Sequence, residues 1–200
     1  MQACAGCKIL VIAMSDFTRL ANHFLIAMPA LADPNFSRTV TLICEHSSEG
    51  AMGIVINRRT ELALGDILRQ MGLNADDAQM REMPVHLGGP VQTNRGFVLH
   101  EPLGTWESTL PITETLGVST SRDILAAIAE NRGPARCLVA LGYAGWGAGQ
   151  LEREIAENSW LNGPADQQII FDMPIEHRWQ KAAQLAGVDL SLLSSEAGHA

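Results

Sequence analysis

Apolar residues recur along this chain with two different periods, and the places where the period changes divide it into elements. HFLIAM (residues 23–28) is a short apolar run stopped by Pro29 and predicts a strand. TVTLIC (39–44) and AMGIVIN (51–57) are β-branched runs around EHSSEG, whose serines and glycine suit a hairpin loop. They predict two adjacent antiparallel strands, with Gly53 marking a bulge or a close backbone approach. Between the first two strands lies ALADPNFSR (30–38), a turn-rich loop. Its Asp33-Pro34-Asn35 fixes the backbone, because proline sets its own φ and Asp and Asn bond back to local amides. Leu64, Ile67, Leu68 and Met71 then fall at i, i+3, i+4 and i+7, one face of a helix that Gly72 ends.

Residues 74–83 read as a polar connection with room for one helical turn. Short strands at 85–87 and 97–99 flank GGPVQTNRG, where Gly88-Gly89-Pro90 is a strong breaker. ITETLGVS (112–119) alternates as a half-buried strand should. Thr120 to Asp123 has capping-box spacing, with Asp in place of Glu, and opens a helix running to Gly133. A buried strand over 136–141 feeds a glycine-rich turn, followed by a helix over 150–160, a last strand over 168–171 and a closing helix from Ile175 to Gly187. Strands pair with strands early and helices come interspersed, which favours a mixed, mostly antiparallel α+β fold over a doubly wound parallel sheet.

At 200 residues the chain fits one domain. A chain of that size buries roughly 70% of its unfolded surface and needs no disulfide or metal to fold. Charge changes the picture of partners more than of fold. With 22 acidic and 14 basic residues the net charge is −8, a surface that repels a phosphate backbone. Arg58-Arg59 is the one adjacent basic pair, so no direct nucleic-acid binding is expected. ILVIAM (9–14) is too short to span a bilayer and lacks a clear cleavage site after it. The expectation is a cytoplasmic protein with no membrane attachment and no cofactor. Residues 1–21 read as a loosely attached extension, 22–190 as the domain and 191–200 as a tail. Cys4 and Cys7 form a CxxC without a second pair of ligands, while Cys44 and Cys137 sit in apolar runs as small hydrophobes.

LGYAGWGAGQLEREIAENSWL (141–161) looks at first like a nucleotide-binding turn, because glycines run straight into a helix. Glu152 and Glu154 argue otherwise. They already complement the positive end of that helix, and a phosphate arriving there would meet like charge. The spacing is GxxGxGxG with no Lys-Ser/Thr behind it, which fits neither phosphate-loop pattern.

Three strings together resemble the YqgE/AlgH family, named partly for a regulator of alginate synthesis: residues 23–58, PVHLGGPVQTNRGFVLH (84–100), and the glycine run through NSWL. The resemblance covers the chain from about Asn22 onward and leaves the extension outside it. It implies a single α+β domain with a coiled, bifurcated, barrel-like sheet and flanking helices. It brings no reaction, cofactor or catalytic residue, and the regulator label does not imply DNA binding.

Among individual residues, Ser47 and Ser48 beside His46 lie at a hairpin tip and read as a solvated turn, not a triad. His46, His86 and His100 each end a strand. Convergence of those ends would place two imidazoles and a carboxylate around a divalent ion, though no HxH or HExxH pair fixes that geometry. Gly88, Gly89, Pro90, Tyr143, Gly145, Trp146 and Gly147 are the candidate contact surface, exposed main chain with two amphipathic rings. The alternative is that glycine permits tight crossings of a bifurcated sheet and Trp146 fills core; glycine's conformational freedom alone explains the composition, and we favour it. The functional expectation is a non-enzymatic regulatory or adaptor protein that binds a protein or small molecule. The alternative is a small enzyme or metabolite-binding domain with a pocket near the glycine turns.

Overall fold

The computed structural model describes residues 20–75 and 77–190, so the CxxC and the C-terminal tail lie outside the described residues. Within them the apolar runs near the N-terminus pair as their patterns dictate. β1 (His23–Ala27), β2 (Val40–Ser47) and β3 (Gly50–Val55) are successive antiparallel neighbours. The loop before β2 is held as its composition implies: Asp33 Oδ1 accepts from the Asn35 N–H at 2.8 Å, and Arg58 donates to the carbonyls of Pro34 and Ser37. Opposite Gly53 the register of β2 shifts at Cys44. A Cβ on Gly53 would lie 2.7 Å from Thr41 Cγ2, so both a bulge and a close approach occur there. The edge strand β4 (Arg59–Ala63), helices α1 (Leu64–Gln70) and α2 (Ala78–Arg81), and β5 (Pro84–Leu87) come next. β4 has no apolar alternation to betray it, because it is mostly exposed.

Three further segments depart from the expected pattern. β6 (Val91–Glu101) starts directly after the Gly88-Gly89-Pro90 breaker and takes in VQTNRG, which reads as connection in the sequence. The alternating run at 112–119 is not one strand: β7 (Thr109–Pro111) and β8 (Gly117–Ser119) form a hairpin. Thr113 Oγ1 accepts from the amides of Thr115 and Leu116 and so forms the turn between them. α3 (Arg122–Ala129) has Ser121 at its N-cap position, one residue later than the capping-box spacing suggests, and the serine makes no side-chain cap bond.

The largest correction concerns the glycine run. It is not a loop: β9 (Arg136–Gly147) continues through it. α4 (Gln150–Ala156) ends early because Asn158 takes φ 58°, and β10 (Trp160–Pro164), a strand not expected from the sequence, begins where the helix was expected to end. Residues 168–171 are not a strand but part of a π-helical turn, Gln168–Asp172, where Asp166 Oδ1 accepts from the Ile169 amide. A four-residue apolar run does not distinguish the two by period. α5 (Ile175–Leu185) closes the described chain.

The strands run in the order β10-β1-β2-β3-β9-β6-β8-β7, with β5 added to β9 in parallel and β4 added to β5. All other pairings are antiparallel. The result is a single α+β domain whose sheet curls into a half-barrel. Phe24, Leu42, Ile54, Leu99 and Ala140 fill its concave side, covered by the π-helical turn and α5. Leu64, Leu68, Ile124 and Ile128 pack α1 and α3 on the opposite face, and Leu151 packs α4 on Leu25, Ile43 and Trp160. No helix of the described residues is long and apolar enough to cross a membrane.

A candidate binding cleft at the fork of the sheet

β9 is where the sheet divides. Val139, Ala140 and Leu141 pair with β5, and Ala144 to Gly147 pair with β3 on the same edge of the strand. The changeover needs two backbones to cross almost in contact. A Cβ on Gly88 would stand 2.3 Å from the Gly142 carbonyl oxygen, and one on Gly89 2.2 Å from the Tyr143 carbonyl carbon. Gly89 and Gly142 also take φ values of 154° and 73°, open only to glycine at low cost. The crossing is stitched by the Gly88 N–H to the Leu141 carbonyl and by the Val55 N–H to the Gly88 carbonyl, each at 2.8 Å.

Gly142 also changes which side chains face inward. Leu138 and Ala140 point into the concave core, and after the positive-φ residue Tyr143 does so. Ala144 and Trp146 turn to the other face, against Leu25, Ile43 and Leu151. On its other edge β9 parts from β6: Gly96 pairs with Leu141, but the next partner of Tyr143 is Val91. Beyond Tyr143 that edge has no strand partner among the described residues.

The divergence opens a cleft of about 950 Å³ on the concave side, between the β2–β3 hairpin, β6, the β7–β8 hairpin and β9. Tyr143 is half-buried in it, with its ring centroid 5.6 Å from that of Phe97, and the Arg95 guanidinium lies 5.6 Å from the Phe97 centroid. Arg95 is steadied by Gln92 and by Thr120 Oγ1, the latter at 3.1 Å. Glu45, Glu49 and Glu107 stand at the walls, so carboxylates outnumber cations there. Gly145 exposes main chain beside Tyr143 in the cleft, whereas Gly147 is exposed outside its lining and Gly88, Gly89 and Pro90 do not line it.

Trp146 borders the same cleft but is only 6% exposed. Its Nε1–H donates to Glu154 Oε2 at 2.9 Å, and the Trp160 indole donates to the same oxygen at 2.8 Å. Glu154 Oε1 accepts from Gln150, whose own Oε1 accepts from the Gly147 amide. Phe36 closes the group, 6.2 Å from Trp146 and 5.4 Å from Trp160 between ring centroids. The acidic start of α4 therefore has a specific structural role, in which one carboxylate satisfies two buried indoles. Trp146, Glu154 and Trp160 come from one short stretch of sequence, and Phe36 joins them from a distant one, which spacing alone does not reveal.

The three histidines are not brought together. His46 Nδ1 accepts from the Leu20 amide at 3.2 Å and its Nε2–H donates to Glu152 at 2.9 Å, so both ring nitrogens are in use. His100, fully buried, donates from Nδ1 to the Pro102 carbonyl and accepts at Nε2 from Ser119 Oγ at 2.8 Å. Burial holds His100 below its ordinary pKa. That serine–histidine pair has the composition of a catalytic dyad, but Ser119 is 0% exposed and its hydroxyl also meets Thr109 Oγ1. His86 stands on β5 beneath α5. Among the described residues no group of three or more His, Cys, Asp or Glu side chains is placed to hold a metal. Burial raises the thiol pKa of both Cys44 and Cys137, the latter to about 11, which leaves both protonated at neutral pH.

The DUF179 family model, described as AlgH-like, matches residues 24–191. A UPF0301 protein of Methylococcus capsulatus is 59% identical over 92% of this chain and 98% of its own length. Another, from Thioalkalivibrio sulfidiphilus, is 60% identical over 94% and 99%. The solution structure of the AlgH protein from Pseudomonas aeruginosa superposes with a TM-score of 0.76 at 51% identity, over 93% of this chain and 98% of that one. A crystal structure of a Corynebacterium diphtheriae protein shares the fold at 20% identity, with a TM-score of 0.65 over 83% and 86%. These names state no reaction. With the glycine crossing, the forked half-barrel and a family match over most of its length, this chain belongs to the AlgH-like DUF179 family, also designated UPF0301.

Proposed function

We propose that this is a non-enzymatic regulatory or adaptor protein that holds an extended segment of a partner protein in the cleft at the fork. One observation carries the reading. Beyond Tyr143 the edge of β9 has no strand partner among the described residues as far as Gly147, whose amide is bonded to Gln150 Oε1, and it runs along a concavity whose floor is aromatic. An extended peptide is the ligand class that uses both, through main-chain hydrogen bonds to a strand edge and side-chain contacts on alternate positions. The carboxylates of Glu45, Glu49 and Glu107 favour a basic segment. The same charges, with the net −8, argue against a nucleic acid in this cleft. The free thiols of Cys44, buried, and Cys137, half-buried, suit action in the cytoplasm.

The test is a library of extended peptides bearing Lys or Arg and one aromatic residue, titrated by fluorescence polarisation. Binding is expected to weaken at least about tenfold in Tyr143→Ala, a difference of about 1.4 kcal/mol. Amide shifts on binding should centre on Gly145, Gly147 and Arg95. Saturable binding that Tyr143→Ala leaves unchanged, or shifts centred on another face, overturns the assignment. So does a library with no binder at all.

A further inference from the structure

A second concavity, separate from the fork, lies where α5 and the π-helical turn cross β4, β5 and β9. It is about 320 Å³ in volume and is bordered by Arg59, His86, Cys137, Asp172 and Arg178. In a protein of net charge −8, it gathers two guanidinium groups around an imidazole. His86 is 3% exposed and Arg178 is 5% exposed. Arg178 donates from Nε to the Met173 carbonyl at 2.9 Å and from Nη1 to the Ile56 carbonyl, which fixes the plane of its guanidinium and leaves Nη2 without a hydrogen bond among the described residues. Arg59 sits opposite His86 in the β4–β5 register and forms no ion pair among the described residues.

His86 supplies the specific signal. Its Nδ1 lies 3.3 Å from the Val139 carbonyl, which can only accept, so the ring proton sits on Nδ1. Nε2 is therefore a lone pair, and it is buried without a partner among the described residues. Burial, and after it the Arg178 charge, holds the ring neutral down to about pH 4. Burial, and then Arg59, lowers Arg178 to about 10, which still leaves it cationic at neutral pH. Asp172 and Glu176 act on Arg178 and offset part of this field. Asp172 is bound to Arg136 at 3.1 Å, Glu176 is on the first turn of α5, and Cys137 keeps its proton.

Two cationic forks and one lone-pair acceptor define a ligand with ionised oxygens and a remaining O–H. We propose that this cavity binds a small, singly protonated oxyanion of the phosphate type, with Arg178 and Arg59 on the ionised oxygens and His86 Nε2 accepting from the O–H. A sulfate matches it in shape and charge but has no proton to give at neutral pH, and an ionised carboxylate lacks one as well. The volume admits inorganic phosphate, which keeps an O–H at neutral pH, whereas a phosphomonoester is mostly the dianion there and has lost its own.

The experiment is a calorimetric titration of the full-length protein at neutral pH with inorganic phosphate, a small alkyl phosphomonoester and sulfate in parallel, with the His86 ring nitrogens followed by NMR. Phosphate is expected to saturate one site and to bind at least about tenfold more tightly than sulfate. Arg59→Gln, on an exposed edge strand, should weaken it severalfold without changing the fold. His86→Leu fills a similar volume without a lone pair to accept the O–H, so it should erase the preference for phosphate over sulfate. The monoester, mostly a dianion without an O–H at neutral pH, is expected to bind more weakly than phosphate, and binding tighter than phosphate overturns the His86 contact. Equal binding of phosphate and sulfate in the wild type, no change in Arg59→Gln, an unmoved Nε2 resonance, or no saturable binding each overturns it. Tyr143→Ala leaves this titration unchanged, so the outcome is independent of the fork cleft.

Discussion

Tyr143 and Trp146 lie three residues apart on one glycine-rich strand, and their surroundings differ in kind. Trp146 is closed in on every side: Phe36 and Trp160 pack its ring, and Glu154 takes its one polar hydrogen. Tyr143 packs one face on Phe97 and leaves the other toward an open cleft. The Trp146 side of the strand holds the fold together, and the Tyr143 side leaves contact area uncommitted. The same string therefore contains a structural aromatic and a candidate binding aromatic, and Gly142 separates them by shifting the alternation of β9. The glycines divide in the same way. Gly88, Gly89 and Gly142 are needed because backbone fills the place of a side chain, while at Gly145 and Gly147 only side-chain atoms stand near that place.

The largest effect should come from the crossing itself. In Gly89→Ala the new methyl would start 2.2 Å from the Tyr143 backbone, at a φ of 154° that an L-residue rarely adopts. No flexible side chain can move aside to admit it. A loss of more than about 4 kcal/mol is expected, enough to leave little folded protein in a denaturant melt. A midpoint near the wild-type value would show that the fork relaxes, and the distinction between the two sides of β9 would lose its basis.

Next in size is the closed side. Trp146→Ala removes a side chain from the packed cluster and should cost about 3–5 kcal/mol in urea or guanidinium unfolding. Glu154→Ala leaves both indoles in place but strips the acceptor from two buried N–H groups, with an expected cost of about 2–3 kcal/mol. If Glu154→Ala proved neutral, the carboxylate would be a surface group that happens to touch the indoles, and Trp146 would owe its place to packing alone.

Much of this fold is legible in the chain because its apolar runs are regular. HFLIAM, TVTLIC and AMGIVIN form β1 to β3, and the spacing of Leu64, Ile67, Leu68 and Met71 forms α1. What escapes has local physical reasons. β10 follows a helix whose end is set by one positive-φ asparagine, and β4 is an edge strand with no buried face. The glycine run reads as a turn because glycine's freedom lets a chain bend. Its actual use is steric, to let one backbone lie against another, and that need arises only when Gly88-Gly89 arrives from about fifty residues away. The candidate site is half legible for the same reason. Composition points to Tyr143 and Gly145, but Phe97 and Arg95 join them only through β6–β9 pairing. The orphaned nitrogen of His86 follows from β5–β9 pairing and has no sequence signal.

The smallest stability effect is also the most discriminating. Gly145→Ala adds a methyl whose nearest neighbours are Tyr143 Cε2 at 3.2 Å and Cδ2 at 3.8 Å, with no backbone in the way. Replacing glycine in a strand relieves roughly 0.5–1 kcal/mol of conformational entropy cost. Against that stands a few tenths of a kcal/mol for the contact, since the half-buried ring has the open cleft to move into. The two terms nearly cancel, and the melt should stay within about 0.5 kcal/mol of wild type. Peptide binding should nevertheless fall, because the methyl displaces the ring from the floor of the cleft. A loss above about 2 kcal/mol would mean that Tyr143 is held as rigidly as Trp146, in which case the cleft is packed core with an exposed rim. A neutral melt with weakened binding separates the two sides of β9 by a single methyl group.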